Sequence, residues 1–203
     1  MAFVYQPAPA LARAARLALW ADALVAAAAV VLSLTMGAEA LVWGDLARWF
    51  SILQLLTWLA SLGVFLIWFY RSNANARAMG AEDLMGSPGL SVAWFFIPLA
   101  WFFMPYIVVR DTWKASEAPR DWQGRSASPL IGFWWGAMVV ANLAAAIAWR
   151  IAAEGDYGAD EAIGVLDLVS NIATVAAGLL GAQLVAAIQR RQINPAHLSE
   201  TFR

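Results

Sequence analysis

The twenty residues LSVAWFFIPLAWFFMPYIVV, Leu90 to Val109, are apolar enough to enter a membrane but carry prolines at positions 98 and 105. Each proline removes a backbone N–H and crowds the preceding helical turn. Carbonyls freed in this way find no water in hydrocarbon, so the stretch must be covered by protein or lie at the interface. Four other stretches, 17–36, 50–69, 130–149 and 163–188, are apolar without such a break. Each supplies the roughly twenty helical residues that span about 30 Å of hydrocarbon. Whether the chain crosses four or five times therefore rests on residues 90–109.

Lys and Arg concentrate on the cytoplasmic side of membrane proteins. If residues 90–109 enter and leave by one face, Arg13, Arg16, Arg71, Arg77, Arg110, Lys114, Arg120, Arg125, Arg190, Arg191 and Arg203 share it, eleven against Arg48 and Arg150. A full crossing gives at best eight against five. The expected fold is all-α: a polytopic membrane helix bundle of four spans plus a Pro-broken re-entrant or interfacial segment at 90–109, with five spans as the alternative. Residues 1–203 read as one integral membrane domain with both termini cytoplasmic and a polar tail over 192–203. Arg13 and Arg16 before an apolar run, with Ala38-Glu39-Ala40 after it, also fit a cleaved signal peptide, but the twenty-residue run exceeds a typical signal core.

Composition agrees, since 62% of the 203 residues are hydrophobic and 13% charged, too apolar for a soluble domain of this size. Thirteen basic against fourteen acidic residues leave a net charge of -1, so no basic field exists for nucleic acid. The absence of cysteine removes disulfides, Fe–S clusters and thiolate metal sites, and the single histidine, His197, cannot build a metal cage. No phosphate loop, His-Glu-x-x-His or Gly-x-Ser-x-Gly pattern is present, so neither an enzyme nor a bound cofactor or metal is expected. Trp43, Trp49, Trp68, Trp113, Trp134, Trp135 and Trp149 fall near the span edges and are expected to be headgroup anchors.

Between Arg71 and Ser116 short motifs follow in order: Asn75-Ala76-Arg77-Ala78-Met79-Gly80, Ser87-Pro88-Gly89, Trp94-Phe95-Phe96-Ile97-Pro98, Pro105-Tyr106, and Arg110 through Trp113 to Ser116. This signature resembles a bacterial family of multi-span membrane proteins catalogued as a domain of unknown function. The likeness implies a bacterial inner membrane location and brings no activity with it. Trp101 stands where the family pattern Ile-Pro-x-x-Asn places an asparagine. Independently of the family, Gly80 suits a left-handed helix end, and Ser87 with Pro88 suits the cap and first position of a new helix.

Ionisable residues in a span are functional hypotheses by default. Asp22 is placed to form an ion pair with Arg16, Arg190 or Arg191, of which Arg190 is the candidate taken. Depth counting puts Gln54 and Asp167 in one layer and Asn142 and Asn171 in another, a candidate polar cluster that serves as interhelical glue or as a site. Ala137, Ala141 and Ala145 with Ala173, Ala177 and Gly181 have the spacing of a close helix hairpin, whereas Ala29 is expected to face lipid. The functional expectation is a non-enzymatic accessory or scaffold component of a membrane assembly, partnered by lipid and by another protein or further copies of itself. Its contact surface is expected at the aromatic segment. The alternative is a small transporter or channel using the polar cluster and the broken segment.

Overall fold

The computed structural model of the chain describes residues 3–36, 44–154 and 159–193. They form an all-helical protein: α1 (Pro9–Met36), α2 (Gly44–Ala78), α3 (Pro88–Ala93), α4 (Met104–Glu117), α5 (Pro129–Glu154) and α6 (Asp160–Gln192), with single 3-10 turns at Ala100–Phe102 and Pro119–Asp121. The helices α1, α2, α5 and α6 are long and apolar enough to cross a membrane. They contain the four stretches read as spans, and α2 and α6 run on beyond them into polar sequence. Asp160 and Glu161 open α6 and Arg190 and Arg191 close it, each sign opposing the helix dipole at its end. His197, Trp43 and Arg203 lie outside the described residues, as do Ala38, Glu39 and Ala40.

The chain divides into two compact units. One comprises Ala18–Leu62 and Phe133–Gly181. Helices approach closely here because small residues line the crossings. A Cβ added to Gly178 would sit 2.7 Å from the Leu19 carbonyl oxygen and 2.8 Å from the Ala23 Cβ, so α6 crosses α1 at backbone contact. The expected hairpin of α5 and α6 is present as well. Ala141, Ala173 and Ala177 are buried, and the Ser170 hydroxyl donates to the Ala141 carbonyl at 3.0 Å. Ala145 is exposed, at the rim of that contact. Ala29, expected to face lipid, is instead buried at 8% exposure, because Leu19, Ala23, Ala26 and Ala29 share one helical face and that face is the buried one. Ile52, Leu53, Leu55, Leu56 and Leu59 of α2 are exposed, as lipid-facing residues are.

The other unit comprises Met1–Leu17, Gly63–Gly132 and Ala182–Arg203. Its centre is the far end of α2 and the broken segment folded against it. Gly80, at φ 100, ends α2: its N–H bonds the Arg77 carbonyl at 3.0 Å while the Ala81 N–H reaches back to Ala76 at 3.1 Å. These are the paired bonds of a Schellman end, sealed by apolar packing of Ala81 on Ala76. The restart is equally local, since the Ser87 hydroxyl accepts from the Leu90 N–H at 3.1 Å and Pro88 occupies the first turn.

From that cap the chain runs along α2 and back. Phe95 packs edge-on against Phe65 and Phe69, with centroids 6.2 and 5.9 Å away, inside the apolar part of α2. After the bend, Thr112 of α4 is hydrogen-bonded to Asn73, and Ala115 packs with Ala76. The segment therefore enters and returns beside the same end of α2. Its bend is sharp: Leu99 adopts φ 63 and ψ -48, a backbone state costing a side-chain-bearing residue about 1–3 kcal/mol. Trp68, Trp113, Trp134 and Trp135 are buried, so these rings are core residues and not anchors, while Trp49 and Trp149 are exposed. Proximity to a span edge does not separate the two roles, because the polar ends of α2 and α6 are themselves packed.

Gly178→Ala is expected to lower the melting temperature in detergent, since the new methyl displaces a backbone carbonyl at about 1–3 kcal/mol. Gly164→Ala, with nothing within 4 Å of the added carbon, is expected to leave it unchanged or raise it. Equal losses at both positions would remove the α1–α6 crossing.

Candidate functional site

Past Phe69, α2 continues as Tyr70-Arg71-Ser72-Asn73-Ala74-Asn75-Ala76-Arg77, and burial of this polar turn gives the unit containing it a polar interior. Ser72, Asn73 and Asn75 of α2, Asp111, Thr112 and Ser116 of α4, and Gln189 and Gln192 of α6 are all buried. Amides and hydroxyls buried this way must pair with one another, because an unmet group costs about 1–3 kcal/mol. The Gln192 amide, fully buried at 0% exposure, donates to the Ser72 carbonyl at 2.8 Å and to the Ser116 hydroxyl at 2.9 Å, joining α6 to α2 and α4. Its residue number placed Gln192 in the expected polar tail, yet it is the last buried residue of α6.

An extended strap, residues 3–8, closes this interior. The Asn75 side chain pairs with the backbone of Gln6 through two bonds of 2.9 Å, accepting from its N–H and donating to its carbonyl as a neighbouring strand would. The Tyr5 hydroxyl donates to the Gln192 carbonyl at 2.9 Å, and partial burial raises its pKa above the ordinary phenol value. Arg71 donates to the Gln6 side chain. Arg77, also on α2, holds the turn that follows: it bonds Asn73 at 3.1 Å and the carbonyls of Leu84 and Gly86 at 3.2 and 2.7 Å. On α4, the Trp113 ring carries the Arg191 guanidinium 3.8 Å from its centroid, and Arg191 also pairs with Glu117 at 3.3 Å.

Two hydroxyls of this interior are fully committed. The Thr112 and Ser116 hydroxyls spend their protons on carbonyls one turn back, at 2.7 Å in each case, and accept amide N–H groups in return. Other atoms remain available: the Ser72 hydroxyl, both amide atoms of Gln189, the Gln192 amide oxygen and the Trp68 indole N–H are buried with no hydrogen-bond partner among the described residues. They form an uncharged set of donors and acceptors on adjoining turns of α2 and α6. No group of three His, Asp or Glu residues able to hold a metal occurs among the described residues.

The candidate cluster expected from depth counting is assembled only in part. Gln54 donates to the Asn171 side-chain oxygen at 2.7 Å, and the Asn171 amide donates to the Asp167 backbone carbonyl at 2.8 Å. Asn142 turns its amide back onto Met138 of its own helix at 2.8 Å. Asp22 accepts from the Ser61 hydroxyl at 3.4 Å, and Arg190 is exposed. The quoted motif is mostly framework: Asn75 clamps the strap, Arg77 holds the turn, Gly80 ends a helix, Ser87 and Pro88 start another, and Pro105 starts α4. Trp94 and Pro98 stand at the bend, Gly89 lies in α3, and Tyr106 stacks near Arg110 at 6.0 Å.

Residues 38–190 match the family model described as a domain of unknown function, DUF4328, and the chain belongs to that family. No match is found among curated proteins or among solved structures.

Gln192→Leu removes donors from two buried acceptors and is expected to cost about 2 kcal/mol or more in detergent unfolding. Asn142→Leu, which loses only a bond to its own helix, is expected to cost well under half of that. Asn75→Leu is expected to free residues 3–8 to protease while α2 remains folded. Resistance equal to that of the parent protein would show that the strap is held by other contacts.

Proposed function

We propose that this DUF4328 member is a non-enzymatic accessory or scaffold component of a bacterial inner-membrane assembly, with both termini cytoplasmic. The open face of α5 carries this reading. Gly132 and Gly136 are exposed four residues apart, and nothing lies within 4 Å of where either Cβ would be. Gly178 and Gly181, in contrast, have neighbours at 2.7 and 3.0 Å that account for them. A Gly-x-x-x-Gly face on a spanning helix lets a second helix approach to backbone distance, where packing and lipid entropy drive association. A spanning helix of another subunit is the fitting partner, a second copy of this chain being the simplest. The orientation rests on the distribution of Lys and Arg, eleven against two.

The unpartnered Ser72, Gln189 and Gln192 atoms favour a second reading, a small transporter or channel for an uncharged polar solute. Flux and association separate the two. Because the chain has no cysteine, Gly136→Cys is a unique crosslinking site. Oxidation of membranes carrying it is expected to give a crosslinked dimer or a larger adduct, with Gly164→Cys giving none. Proteoliposomes are expected to show no solute uptake above empty vesicles. Uptake lost on Gln189→Leu, together with no adduct at position 136, would replace the scaffold reading with the transport one.

A further inference from the structure

We infer that the bend between α3 and α4, residues 96–103, is inserted into the hydrocarbon of one leaflet as a wedge that does not cross it. This stands on the membrane-spanning character of α2 and is independent of any association through α5. Three observations point to lipid as the occupant. Leu99 is 79% exposed, Phe103 67% and Phe96 63%, with Ile97 and Phe102 also exposed, so the outermost part of the bend is its most apolar part. A water-facing turn has the reverse pattern. The bend is also rooted at membrane depth, because Phe95, the residue before it, packs on Phe65 and Phe69 inside the apolar stretch of α2.

The backbone fits the same medium. From Trp94 to Phe103, seven of the nine N–H groups, Pro98 having none, donate to carbonyls no more than four residues back. A loop in water leaves such groups to solvent, whereas hydrocarbon requires them to be met within the segment. Pro98 lowers the demand further by removing a donor at the turn itself. The strained Leu99 carries its side chain outward at the apex of the wedge, where a bulky apolar residue at positive φ gains nothing from water. The first charge after the bend is Arg110, six residues into α4 and therefore about 9 Å of helix rise from its start. Its guanidinium pairs with Asp111 at 2.8 Å and lies 6.0 Å from the centre of the Tyr106 ring, so the charge is not left bare.

Spin labels at single cysteines test this in the full chain reconstituted into phosphatidylcholine–phosphatidylglycerol vesicles. Leu99→Cys, Phe96→Cys and Phe103→Cys are read separately, so that one unstable variant does not decide the outcome, and Asp121→Cys in the exposed turn after α4 is the aqueous reference. Collisions with dissolved oxygen, which partitions into hydrocarbon, are expected to exceed those with a water-soluble nickel chelate at 96, 99 and 103, with the order reversed at 121. Chelate collisions dominating at 99 and 103 would place the bend in water and overturn the inference. Labels shielded from both agents would make the bend a protein contact and overturn it equally.

Discussion

A polar group without a partner is far more costly in a membrane than in water, and the architecture follows from where this chain places such groups. The helices can be long and apolar because they satisfy their own backbones. Wherever the helix is interrupted, local chemistry must replace what the helix supplied. The end of α2 at Gly80, the restart at Ser87 and the bend at Pro98 are three interruptions within about twenty residues. The first two are closed by short-range hydrogen bonds, and at the third seven of nine N–H groups are met in the same way.

The two units solve the packing problem with different chemistry. Where Gly178 crosses α1, small residues bring backbones together, and dispersion over a tight contact provides the cohesion. Around Gln192, amides and hydroxyls from α2, α4 and α6 exchange hydrogen bonds whose strength depends on exclusion of water. A directional network of this kind specifies one register for the segments that share it, whereas an alanine face tolerates sliding by a turn. The broken segment, which has little helical length of its own, is held by the directional kind.

Legibility in the sequence followed the range of the interaction. Gly80, Ser87 and Pro88 were readable because a helix end and a helix start are decided within a few residues. The return of residues 90–109 beside α2 was readable from prolines and from charge counting. The polar interior was not, although Ser72 and Asn75, Thr112 and Ser116, and Gln189 and Gln192 each stand three or four apart on one helical face. Their hydropathy is that of a water-exposed end, and only the fold turns that end inward. The same ambiguity put Trp68, Trp113, Trp134 and Trp135 at the membrane surface when they belong to the core. Depth counting put Gln54 level with Asp167 and Asn142 level with Asn171, whereas Gln54 bonds Asn171 and Asn142 bonds its own helix, since depth carries no information about azimuth.

The bond between the Tyr5 hydroxyl and the Gln192 carbonyl joins positions 187 residues apart. Tyr5 is synthesised long before Gln192, so the strap has no complete docking surface until α6 has emerged and been inserted. Before α6 is in place the strap can have its bonds to Asn75 and Arg71 of α2 but not the one from Tyr5. The last helix adds the Tyr5 bond, so the strap is tied at both places only once two segments far apart in the chain have come together.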